Sequence, residues 1–175
     1  MSKINYIFLD DNKDDFKTYT AKIDEVLQKM GIPHNLKMTY EQGICLMDKY
    51  WQYLKDGDDT ALNNAVRDFK LMSEDMICFI DDNWDNTSSS DNCDGKNFVA
   101  TFLNDNMQQN VIMVTVNPDS YPSAYTKKNR QFKNKLQTAL TKVAPYKKYQ
   151  EKKEKPNEIK ETTKSKAIAP KHYEG

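Results

Sequence analysis

Three stretches of this chain are apolar almost throughout and end in polar groups. "INYIFL" at 4–9 runs into Asp10 and Asp11, "MICFI" at 76–80 into Asp81 and Asp82, and "VIMV" at 111–114 into Thr115. A strand with one wet face alternates apolar and polar residues; unbroken runs of this length suit strands covered on both faces. The segments between them carry the helical period. In "DNKDDFKTYTAKIDEVLQKMG", Phe16, Tyr19, Ile23, Val26, Leu27 and Met30 recur every three or four residues, and Gly31 and Pro33 supply a stop. Residues 41–72 repeat the pattern through Ile44, Met47, Trp51, Leu54, Leu62, Val66 and Phe69. "KDGDD" interrupts them: Gly57 can end one helix and Asp59 can cap the next. The pattern also predicts a short strand at about 36–40, a helix over 96–106, a short strand in "SAYTKK" and a closing helix over 129–143. Alternating strands and helices imply an α/β domain with a parallel sheet and right-handed crossovers.

Composition bounds the rest. At 175 residues, 38% hydrophobic and 11% aromatic, the chain suffices for one domain with one core. It has no apolar run long enough for membrane insertion and no leader-like start, so the expected location is cytoplasmic. Cys45, Cys78 and Cys93 lack metal-ligand spacing and read as reduced structural thiols. The zero net charge hides an asymmetry: residues 141–175 hold ten Lys against five Glu, so the body is acidic and the end basic. With few apolar residues, 146–175 is expected to be a flexible basic tail after a domain at 1–145. It reads as a solvated tether, not as a nucleic-acid contact.

In an open parallel sheet, functional groups gather beyond the carboxyl ends of the strands. Asp10, Asp11, Asp81, Thr115 and the pair Lys127 and Lys128 all fall at such ends, so three carboxylates, a hydroxyl and an ammonium can converge on one crevice. Such acids suit Mg2+, which takes one or two carboxylates together with other oxygen ligands. A carboxylate beside the metal can then accept a phosphoryl group as a nucleophile. Simpler roles exist for each residue: Asp10 and Asp11 as helix N-caps, Thr115 as a β-branched core residue, and the lysines as surface charges near a basic tail.

Order and spacing resemble the receiver domains of two-component response regulators, the chemotaxis-regulator type in particular, over residues 3–143. "IFLDDN", "CFIDDN", "NCDG", "VIMVTV" and "AYTKK" carry the resemblance. It implies a flavodoxin-like doubly wound sheet of five parallel strands in the order 2-1-3-4-5. It further implies Asp10, Asp11 and the backbone carbonyl of Asn83 as metal ligands alongside Asp81, which is the phosphoacceptor. Thr115 is then the switch hydroxyl, Tyr125 the switching aromatic and Lys128 the phosphate-pairing lysine, with Lys127 the alternative. The implied partners are a histidine kinase or phosphotransfer protein and a downstream protein.

The chain departs from that pattern in several places. The connection from Asp81 to Gly95 is lengthened by an insertion within 82–94 that could form a lid. Trp84 and Asp85 stand near the usual Met-Pro pair, and Asn129 replaces the Pro expected after the lysine. Only twelve residues separate Thr115 from Lys128, so the fourth helix is expected to be reduced or absent. These departures favour an alternative, a degenerate receiver that binds a protein without phosphorylation. A haloacid-dehalogenase-type phosphohydrolase fits less well, since Asn12 stands where a second catalytic Asp is needed.

Overall fold

The computed structural model describes residues 3–71, 73–84, 94–101, 109–115 and 125–154. Strand β1 (Ile4–Leu9) leads into helix α1 (Lys13–Lys29), followed by β2 (His34–Leu36), α2 (Tyr40–Asp56) and α3 (Thr60–Asp68). Then come β3 (Met76–Asp81), α4 (Gly95–Thr101), β4 (Val111–Thr115), β5 (Tyr125–Lys127), α5 (Phe132–Leu140) and a last helix, α6, over 144–154. All pairings are parallel and the order is β2-β1-β3-β4-β5, a flavodoxin-like doubly wound sheet.

The unbroken apolar runs are explained by two cores, one on each face of the sheet. Along β1, Ile4, Tyr6 and Phe8 pack with Phe16, Ile23, Val26 and Leu27 of α1 and Phe132, Leu136 and Leu140 of α5. The alternate residues Ile7 and Leu9 pack with Leu46, Met47 and Tyr50 of α2, Leu62 and Val66 of α3 and Phe98 of α4. Successive side chains on a strand point to opposite faces, so a sheet covered twice needs apolar residues at every position.

Three expectations shift. The second strand lies at 34–36, not 36–40, because Thr39 and Gln42 form a reciprocal capping box that draws Tyr40 into α2. Asp59 sits at the N-cap of α3 without a side-chain bond; Asp58 accepts from the Thr60 amide at 3.0 Å instead. Residues 144–154 are helical, so a flexible tail does not begin at 146. There Val143 and Pro145 are buried, and Tyr146 and Tyr149 pack against the α1/α5 core. The Ala144 amide bonds the Gln109 carbonyl at 3.0 Å, and Lys148 pairs with Glu74 at 2.6 Å. Residues 155–175, most of the 82–94 insertion and the fourth-helix region before β5 lie outside the described residues.

At the amino end of the sheet, the buried Tyr6 hydroxyl donates to Asp24 Oδ1, which also faces His34 Nε2 at 3.1 Å. Burial, with the Asp24 carboxylate beside it, pushes the Tyr6 phenol well above its ordinary value. Cys78 is buried in β3 and its thiol is pushed up to about 12, consistent with a structural role. Among the described residues, no helix is long and apolar enough to cross a membrane.

Candidate functional site

β1 and β3 are neighbours, paired from Asn5↔Met76 to Leu9↔Ile80, so their exits bring Asp10 and Asp81 side by side. The order 2-1-3 reverses here, which makes this the switch point of the sheet. Asp10, Asp11 and Asp81 are all buried, and a carboxylate oxygen from each lies within 4.8 Å of the others.

The neighbouring acids are not helix caps. Asn12 caps α1, its side chain accepting from the Asp15 amide, and its own amide donates to Asp10 Oδ1 at 2.9 Å. The Asp11 carbonyl accepts from the Tyr40 hydroxyl at 2.7 Å, tying the start of α2 to the crevice. Asp82 is half-buried; its amide bonds the Val114 carbonyl at 3.3 Å and its carbonyl accepts from the Gly95 amide at 3.0 Å. Gly95 is needed at that spot, since a methyl group there would overlap the Asp81 carbonyl oxygen. Helix α4 is thereby pressed onto the exit of β3.

The ammonium arrives from the other side of the sheet order. Lys128 Nζ lies 2.9 Å from Asp81 Oδ1, 2.9 Å from Asp10 Oδ2 and 3.2 Å from Asp15 Oδ2. Its amide bonds the Thr115 carbonyl at 3.1 Å, extending the β4–β5 register by one step. Lys128 is thus placed on Asp81, while the side chain of Lys127 lies outside the described residues. Thr115 is buried at the end of β4. Tyr125 is half-buried, in register with Met113 and packed against the α2–α4 core. Asn83 is exposed two residues past Asp81.

Electrostatics follow from burial. Asp81 is pushed up to about 7, first by desolvation and then by the Asp10 charge, with Lys128 opposing. Asp10 is also raised by desolvation, against the lowering effects of the Asn12 amide and Lys128. Burial acts to lower Lys128, but the Asp81 and Asp10 carboxylates outweigh it and hold the ammonium well above its ordinary value. Three buried acids against one ammonium leave surplus negative charge, carried entirely by hard oxygen donors. That donor set fits a hard divalent cation such as Mg2+.

Two residues escaped the sequence reading. Asp15 contacts Lys128 directly, and the Tyr19 ring lies beneath the ammonium, its centroid 5.5 Å from Nζ. Their signal was the spacing of four between Asp15 and Tyr19 on α1, which sets both on one face of the helix. Trp84 is buried against Tyr50 and Phe98, so the insertion after Asp81 starts from a fixed point in the core. The chain matches no protein-family model, no curated protein and no solved structure.

Proposed function

We propose that the chain is a cytoplasmic response-regulator receiver domain whose Asp81 accepts a phosphoryl group from a histidine kinase or phosphotransfer protein. The observation that carries this reading is the placement of Lys128 Nζ 2.9 Å from Asp81, beside the cluster of Asp10, Asp11 and Asp81. Mg2+ held by Asp10, Asp11, Asp81 and the Asn83 carbonyl would supply positive charge for the incoming phosphoryl oxygens.

The chain's own groups do the rest. An Asp81 carboxylate oxygen forms a bond to phosphorus as the bond from phosphorus to the donor's histidine nitrogen breaks, and that imidazole takes a proton from solvent. The Lys128 ammonium stabilises charge on the transferred group without needing to move a proton. Gly95 and Trp84 hold the exit of β3 in place during transfer. Thr115 lies beyond Asp81 on the next strand, and its carbonyl already holds the Lys128 amide. A shift of its hydroxyl toward the phosphoryl group would be transmitted to β5 and Tyr125, altering the face offered to a downstream protein.

Incubation with Mg2+ and acetyl phosphate tests this directly. Intact-mass spectrometry is expected to show one added phosphoryl group on the wild type and none on Asp81→Asn; an unchanged wild type would sink the reading. A second reading, a degenerate receiver that binds its partner without phosphorylation, draws support from Lys128 already serving as counter-ion to three carboxylates. It predicts no heat of binding on titration with millimolar Mg2+ and partner capture that survives Asp81→Asn.

A further inference from the structure

We infer that Asp15 is a positioning residue for Lys128, the third anchor that fixes the ammonium over the acid crevice. An ammonium has three N–H donors and no acceptor. Lys128 has three carboxylate partners, Asp10, Asp81 and Asp15, each within 3.2 Å, and the Tyr19 ring closes its remaining side. Hydrogen bonds to Asp10 and Asp15 and the ion pair with Asp81 set the position of Nζ from three points on three elements: the ends of β1 and β3 and the first turn of α1.

The anchors are unequal. The side chains of Asp10 and Asp81 are 1% and 6% exposed, whereas that of Asp15 is 44% exposed. A buried carboxylate stripped of its cation has no water to replace it, while Asp15 can be rehydrated at little cost. If another oxygen acceptor enters the crevice, Asp15 is the partner that lets go. It holds the lysine in place at rest and competes for it when a phosphoryl group arrives. That consequence rests on the receiver reading; the anchoring does not.

Asp14 provides the control. It lies in the same first turn of α1 and is exposed, so Asp14→Asn makes the same change in charge and helix-dipole interaction. In protein free of any phosphodonor, the proton–nitrogen correlation signal of the Lys128 ammonium is expected to shift and exchange faster in Asp15→Asn and to stay unchanged in Asp14→Asn. With Mg2+ and acetyl phosphate, Asp15→Asn is expected to take up the phosphoryl group about two- to fivefold faster, the worth of one partly exposed ion pair. An unmoved Lys128 signal in Asp15→Asn would overturn the inference, as would equal acceleration by the two variants. Should no protein take up phosphate while the Lys128 signal moves in Asp15→Asn alone, the receiver reading fails and the anchor stands.

Discussion

Asp81 holds its proton to about pH 7 in the fold, against 3.8 for an ordinary Asp. The folded state therefore binds that proton more tightly than the unfolded chain. This contribution to stability is fully present below the unfolded value and drains away as pH rises through 7. Asp81→Asn removes the burden while leaving Lys128 paired with Asp10 and Asp15. The variant is expected to be more stable than wild type by about 1–2 kcal/mol at pH 8, with the gap closing toward pH 5, as read from urea unfolding. Asp10 and Asp81 were legible in the sequence because each ends an unbroken apolar run, which fixes both the strand and its exit. Lys128 was legible only as one of a pair of lysines at the exit of the short strand in "SAYTKK". Asp15 and Tyr19 were not, because their role depends on the approach of α1 to the end of β5, a contact between residues more than a hundred positions apart.

Among the elements, α4 and α6 carry the sharpest consequences. Gly95→Ala places a methyl group against the Asp81 carbonyl and the Ile80 side chain, so α4 must move off β3. A loss of about 1–3 kcal/mol in denaturant unfolding is expected, with slower phosphoryl uptake because Asp81 moves too. Ending the chain at residue 143 removes α6 and uncovers the core beneath Tyr146 and Tyr149. A fully buried apolar side chain contributes about 1.5–3 kcal/mol and these two rings are half-buried, so a stability loss of about 1–3 kcal/mol is expected from the pair. α6 is hidden in the sequence because its composition is dominated by Lys and Glu, which resembles a solvated tail. The spacing of Val143, Tyr146 and Tyr149 by threes was the available signal, and tyrosine can bury its ring while its hydroxyl stays wet. β2 was misplaced for a different reason: its three residues carry little pattern, and the Thr39 cap sets where the strand must already have ended.

For the whole molecule, the parallel sheet with a core on each face explains why three acids collect beyond the carboxyl ends of its strands. Among the described residues both faces of the sheet are covered, and the exits of β1 and β3 leave Asp10, Asp11 and Asp81 together at the switch point. The proposed binding of Mg2+ there would couple to global stability. At ten times its dissociation constant the ion is expected to raise the unfolding free energy by about 1.4 kcal/mol, seen as a higher melting temperature in wild type and lost in Asp10→Asn. The parallel order was legible because three buried runs alternate with helical periods, and parallel strands require such crossovers. One contact in this frame bears on how such a protein can be rebuilt. The Lys128 amide clasps the Thr115 carbonyl, so the intervening stretch begins and ends at points already fastened together. A chain nicked ahead of β5 would therefore still carry Thr115 and Lys128 on one sheet, because β5 keeps its own pairing with β4.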